Sequence, residues 1–222
     1  MAACSPSSTS SPSPFPFPGS VVVLDINGVL ANVRKRYSTP VPSGVFSKKE
    51  IYQMPNGQMV YLRPGALDFI RAIRSVDVFL IIWTSRLYKN ALPVVQWLNS
   101  CFQHNFETTL GICDAMMTGE DCLQIERSER EGGPLLIKSI KSVRHKFQIS
   151  ISSLMHVFFV DDEPNNLSLD EYSSYLPFAR FDAMEFINLC KKEGQKVQYD
   201  REIEYLTRQA QTLLSMIKKY QC

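Results

Sequence analysis

Three apolar runs in this chain end on small polar or acidic residues. "SVVVLDI" closes on Asp25, followed by Asn27-Gly28; "DVFLIIWT" closes on Thr84; "LMHVFFVDDEP" closes on the pair Asp161 and Asp162. Between the last two lies "LLIKSIKSV", which carries Lys138 and Lys141. One such Asp is an ordinary turn or helix-cap residue. Three coincident strand ends with a lysine between them point to chemistry. Carboxylates that converge repel one another and raise each other's pKa unless a cation neutralises them. Magnesium is the natural neutraliser, because it prefers oxygen ligands and keeps positions open for phosphate.

The elements that must position these residues are legible from period and punctuation. The apolar runs are β-branched and of strand length. Segments such as "PGALDFIRAIRSV", with Pro64 near its first turn, and "NALPVVQWLNSCF" have helical periodicity. Strands alternating with amphipathic helices predict βαβ units and a mostly parallel sheet, with ligands beyond the carboxyl ends of the strands. Residues 45–62 read as a hairpin around Pro-Asn-Gly. Residues 106–134 mix short strand-like pieces with a charged, Gly-ended loop, and 200–220 read as a final helix. The division expected is a disordered Ser/Pro-rich tail over 1–19, one domain over 20–200, and a helix over 201–222 that packs on or extends it.

In this order, "LDINGVL", "IIWTSR", Lys138 and "FFVDDEP" resemble the four motifs of the haloacid dehalogenase (HAD) superfamily. More narrowly they resemble the C-terminal-domain phosphatases, also called NLI-interacting-factor-like, with "VYLRPGALDFI" and "WTSRLYKNALPVVQWL" as further matching stretches. The resemblance implies an α/β, HAD-like Rossmannoid three-layer fold with a central mostly parallel sheet, a small β-hairpin insertion and no large cap domain. It implies that Asp25 is the nucleophile that forms an aspartyl-phosphate, that Thr84 binds a phosphate oxygen, and that Lys138, with Lys141 the less apt substitute, balances charge. Asp161 and Asp162 would hold magnesium together with Asp25 and the main-chain carbonyl of Asn27.

The chain departs from the family at one position. The family pattern is Asp-x-Asp, and its second Asp is the general acid and base; here it is Asn27. A carboxamide can orient a water but cannot exchange a proton near neutral pH. Positioned acid and base groups contribute roughly 10²–10⁴-fold in rate, so the expectation is a slow phosphatase or one that stalls as a phosphoenzyme. Asn27-Gly28 is also a turn-prone pair of the kind that deamidates, a route by which some molecules would regain an aspartate.

Composition sets the outer limits. The chain has 222 residues, a net charge of +2 and no long basic stripe, so nucleic acid is not an expected partner. No apolar run reaches the roughly 20 residues that span a bilayer, so no membrane insertion is expected. Six scattered cysteines lack metal or disulfide spacing. His104, His145 and His156 share no ligand spacing. Tyr37, Phe46, Tyr52, Tyr61 and Tyr88 are candidate cleft aromatics, with 45–62 and 106–134 as its walls.

Three function classes follow, the third being a stable phosphoenzyme that acts as a switch or transferase. The first is a magnesium-dependent Ser/Thr phosphoprotein phosphatase, nuclear or cytoplasmic, acting on a phosphorylated protein or peptide. The second is a non-catalytic binding module resembling the phosphatase-like presequence receptor of the mitochondrial inner-membrane translocase.

Overall fold

The sheet is built around the run that ends at Asp25. The strands are β1 (Ser20–Leu24), β2 (Ala31–Arg34), β3 (Ile51–Gln53), β4 (Met59–Leu62), β5 (Phe79–Trp83), β6 (Ala115–Met117), β7 (Leu123–Ile125), β8 (Leu135–Ser139), β9 (His156–Asp161), β10 (Leu167–Ser168) and β11 (Ser173–Pro177). The helices are α1 (Ala66–Ile73), α2 (Tyr88–Phe106), α3 (Ile140–Phe147), α4 (Ala183–Glu193) and α5 (Gln195–Gln221). These assignments come from a computed structural model that describes residues 19–34, 44–126, 134–148 and 156–221. The Ser/Pro-rich residues 1–18, Tyr37 and residues 127–133 lie outside the described residues.

Five parallel strands form the central sheet in the order β11-β9-β1-β5-β6. Every residue of β1 is buried, as expected for a strand covered on both faces. Successive side chains alternate between faces. Val22, Leu24, Ile82, Phe158 and Val160 pack toward Phe69, Leu98 and Leu213 of α1, α2 and α5. Val21, Val23, Ile81, Trp83 and Phe159 pack toward Ile140 and Val143 of α3. The result is the three-layer HAD-like α/β fold, and among the described residues no large cap domain is present.

Register decides where the chemistry goes. Leu24 lies beside Ile82 on one side and Val160 on the other. The residues that follow these partners, Asp25, Thr84 by way of Trp83, and Asp161, therefore share one rim.

Several local elements differ from the sequence reading. The hairpin is shorter, β3 and β4, and gains β2 as a third strand in the order β2-β4-β3. Segment 106–134 supplies β6, the fifth strand of the main sheet, as well as β7. α2 begins two residues before Asn90 because Glu120, from a distant turn, accepts the Tyr88 N–H at 3.2 Å. α5 starts at Gln195, not Asp200, and buries Leu206, Leu213 and Ile217 in the main core. No helix among the described residues is long and apolar enough to cross a membrane. Cys101, Cys113, Cys122 and Cys190 are free thiols.

Candidate active site

β1 delivers Asp25 to the rim, where its backbone N–H donates to the Val160 carbonyl at 3.0 Å. β9 delivers Asp161 as its last residue. Lys138 arrives from outside the main sheet, on β8, which pairs with β10 and β7 in a small three-stranded sheet; Lys138 lies beside Leu167. Its ammonium donates to Asp25 Oδ1 at 2.7 Å and to Asp161 Oδ2 at 2.6 Å. All three side chains are buried. Lys141, the alternative lysine, is exposed on α3 and faces a different groove.

The cavity at this rim has a volume of about 160 Å³. That is below the roughly 300–1,000 Å³ of pockets that enclose a whole small molecule, and suits a phosphoryl group presented from outside. Asp25, Asn27, Thr84, Lys138, Asp161 and Asp162 all line it, so these six residues, drawn from the ends of separate elements, meet in one place. Ser85, Arg86, Leu136, Glu163 and Asn166 line it as well. The sequence reading missed these five; Arg86 had a signal, its position two residues after Thr84 in "TSR".

Charge in the cavity is unbalanced. Oxygens of Asp25, Asp161 and Asp162 lie within 4.8 Å of one another. Burial, opposed by Lys138 and reinforced by Asp161, pushes the Asp25 carboxyl up to about 6. Burial, with Asp25 and Asp161 adding to it, pushes Asp162 up to about 7. For Lys138, burial pulls down but the two carboxylates outweigh it, and the ammonium is held above its ordinary value. Asp162 Oδ2 is buried without a hydrogen bond; Arg180 Nε approaches only to 3.6 Å, an ionic contact beyond hydrogen-bond range. A hard divalent cation fits this donor set: three carboxylates, one oxygen orphaned, and fewer positive charges than negative. Gly28 makes the close approach possible. Its φ is +91°, and a Cβ there would lie 2.3 Å from Asp162 Oδ2.

Asn27 is held in one orientation. The Val33 N–H of β2 donates to Asn27 Oδ1 at 2.9 Å, and a backbone N–H can be met only by the carbonyl end of the amide. The NH₂ end remains for the cavity, a donor with no transferable proton. The same turn works against deamidation. Cyclisation requires Gly28 N to attack the Asn27 side-chain carbon, but that N–H is tied to the Ala31 carbonyl at 2.8 Å. Recovery of an aspartate at this position is therefore disfavoured in the folded chain.

The cleft aromatics and walls are placed elsewhere. Phe46 and Tyr61 are buried against Phe181 and Phe186 in a satellite core, Tyr52 stacks on Trp97 with centroids 5.5 Å apart, and Tyr88 is exposed; none lines the cavity. No described residue of 45–62 or 106–126 lines it either, so the walls are 84–86, Leu136 with Lys138, and 161–163 with Asn166. His156 begins the strand that Asp161 ends, and shares a hydrogen bond with Ser174 Oγ at 2.8 Å.

A parallel sheet with an Asp–Lys–Asp constellation at its carboxyl rim defines a HAD-type phosphatase scaffold. The sequence profile of the NLI interacting factor-like phosphatases matches residues 20–193, and the chain belongs to that family. Among solved structures it is similar to Fcp1, an essential RNA polymerase II CTD phosphatase, at 17% identity and TM-score 0.40, covering 87% of this chain and 53% of that one. Fission yeast Fcp1 bound to beryllium fluoride gives 17% identity and TM-score 0.38, over 88% of this chain and 55% of that one. A HAD family protein from Streptomyces avermitilis gives 14% and 0.32, over 65% and 61%. This chain thus spans about half the length of the Fcp1 chains. No curated protein matches it.

Proposed function

We propose that the chain is a slow, magnesium-dependent phosphoprotein phosphatase that works through an aspartyl-phosphate on Asp25. The observation that carries the reading is Lys138 bridging Asp25 and Asp161 at 2.7 and 2.6 Å inside a cavity that Thr84 also lines. Asp25 attacks phosphorus, the ester P–O bond breaks, and the substrate oxygen leaves. That oxygen takes its proton from water, since Asn27 has none to give. Water then opens the acyl-phosphate, releasing inorganic phosphate and restoring Asp25, again without a base at residue 27. Thr84 hydrogen-bonds a phosphoryl oxygen, and Lys138 offsets the charge that builds on the transferring group. Magnesium, held by Asp25, Asp161, Asp162 and the Asn27 carbonyl, would supply further neutralisation of the phosphoryl oxygens. A phosphorylated Ser or Thr in an extended protein segment, in the nucleus or cytoplasm, is the substrate class that suits the small opening and the family.

The test is hydrolysis of an aryl phosphate and of a phosphopeptide by the native chain, Asn27→Asp and Asp25→Asn, each with magnesium and with chelator. The expected outcome is slow magnesium-dependent turnover, a gain of roughly 10²–10⁴-fold in Asn27→Asp, and none in Asp25→Asn. Turnover that survives Asp25→Asn would end the proposal. Silence in both the native chain and Asn27→Asp would favour the non-catalytic binding module instead.

A further inference from the structure

We infer that Arg86 is a second cationic ligand for the phosphoryl group, steadied by Gln58 at the tip of the β3–β4 hairpin. The inference rests on the phosphoryl reading of the cavity above.

An arriving phosphate monoester dianion meets a wall of Asp25, Asp161, Asp162 and Glu163. Lys138 is already shared between Asp25 and Asp161. Among the described residues, Arg86 is the lining cation with no carboxylate in ion-pair range. Its recorded side-chain partner is neutral: Nη1 donates to Gln58 Oε1 at 3.1 Å. A guanidinium has five N–H donors in a planar fork that matches phosphate oxygens; one is engaged by Gln58. Burial pulls the group below its ordinary pKa while Asp25 pulls it up, so it sits partly out of bulk water and within the field of the nucleophile.

The backbone under this side chain is fixed. Arg86 N–H donates to Thr84 Oγ1 at 3.4 Å, and the Gly119 N–H donates to the Arg86 carbonyl at 2.8 Å. Gly119 allows that contact, since a Cβ there would lie 2.5 Å from the Ser85 carbonyl oxygen. Gln58 is itself braced, with Asn56 Nδ2 donating to the same Oε1 at 3.1 Å and Gln58 N–H donating to Asn56 Oδ1 at 3.0 Å. The hairpin therefore touches the lining residue Arg86 from behind through one amide, which orients the fork without spending its charge.

Binding of inorganic phosphate with magnesium present, by calorimetric titration, reads this contact without turnover. Hydrogen bonds to charged groups predict that Arg86→Gln weakens phosphate binding by roughly 10- to 100-fold. Arg86→Lys keeps a point charge but loses the fork, and should recover part of that loss, which a merely structural arginine would not show. Gln58→Ala, which leaves Arg86 and its charge in place and removes only the bond that orients it, should weaken binding by about a few-fold, less than loss of the arginine itself. Native affinity in Arg86→Gln that still melts cooperatively would overturn the inference. Should Arg86→Gln fail to fold, native affinity in both Arg86→Lys and Gln58→Ala overturns it equally. A native chain that binds no phosphate would instead sink the phosphoryl reading, and this inference with it.

Discussion

Arg63 and Lys138 are both buried cations, 1% and 4% exposed, yet their surroundings are of different kinds. Arg63 Nε donates to Glu202 of α5 at 2.8 Å, and Nη1 donates to the carbonyls of Ala179 at 2.9 Å and Gly28 at 3.2 Å. The rings of Phe178, Phe181 and Tyr205 flank it at 5.0–5.5 Å. One carboxylate balances one cation, and the other acceptors are fixed main chain. Lys138 has two carboxylate partners and a third close by, so negative charge is in excess and acceptor oxygens are left over. Burial and ion pairing alone therefore do not mark a functional site; an unbalanced charge count and an orphaned oxygen do. The two cations are linked, since Arg63 donates to the Gly28 carbonyl and so braces the turn that follows Asp25.

If that contrast is right, the two residues should fail differently. Arg63→Met should lower the unfolding free energy by about 3–5 kcal/mol, because it strips the partly buried Glu202 carboxylate of its cation and the Ala179 carbonyl of its guanidinium donor; urea denaturation measures it, and a loss below about 1 kcal/mol would erase the distinction. Lys138→Met should be pH-dependent instead. With the ammonium gone, the folded pKa of Asp25, which Lys138 now holds down against burial, rises further. A carboxylate whose folded pKa is raised stabilises the fold when protonated, and that contribution is lost as pH rises through the folded pKa. The variant should therefore be less stable than the native chain by about 3 kcal/mol near pH 8, with the gap narrowing toward pH 5, and it should lose phosphoryl transfer throughout.

The smallest effect sharpens the same point without mutation. Asp25 and Asp162, raised to about 6 and about 7 from 3.8, bind protons that the unfolded chain does not. Stability of the metal-free protein should then fall as pH climbs from roughly 4 to above 7. Magnesium at a concentration a hundredfold over its Kd near pH 8 should restore about 2.7 kcal/mol there. The gain, read as a shift in Tm at one magnesium concentration, should be larger near pH 8 than near pH 5.5, because ionised carboxylates would be the ligands under the proposed function. An equal shift at both values would argue that the ion binds elsewhere.

The sequence by itself determined the rim. Continuous β-branched runs specify strands buried on both faces, so β1, β5 and β9 and the residues that end them were readable from local pattern, as was the carboxamide at residue 27. The three-residue strands β6 and β7 carried too little periodicity to stand out, and exist because longer neighbours pair with them. The start of α2 depends on a carboxylate 32 residues away. Only the tertiary structure decided which charges are spent. Arg63 and Glu202 meet across 139 positions and Lys138 and Asp25 across 113, and the Arg86 fork is held by Gln58 across 28. Local pattern fixes which way a side chain faces, through the two periods of strand and helix. Charge balance is a sum over neighbours in space, and the chain acquires those neighbours only on folding.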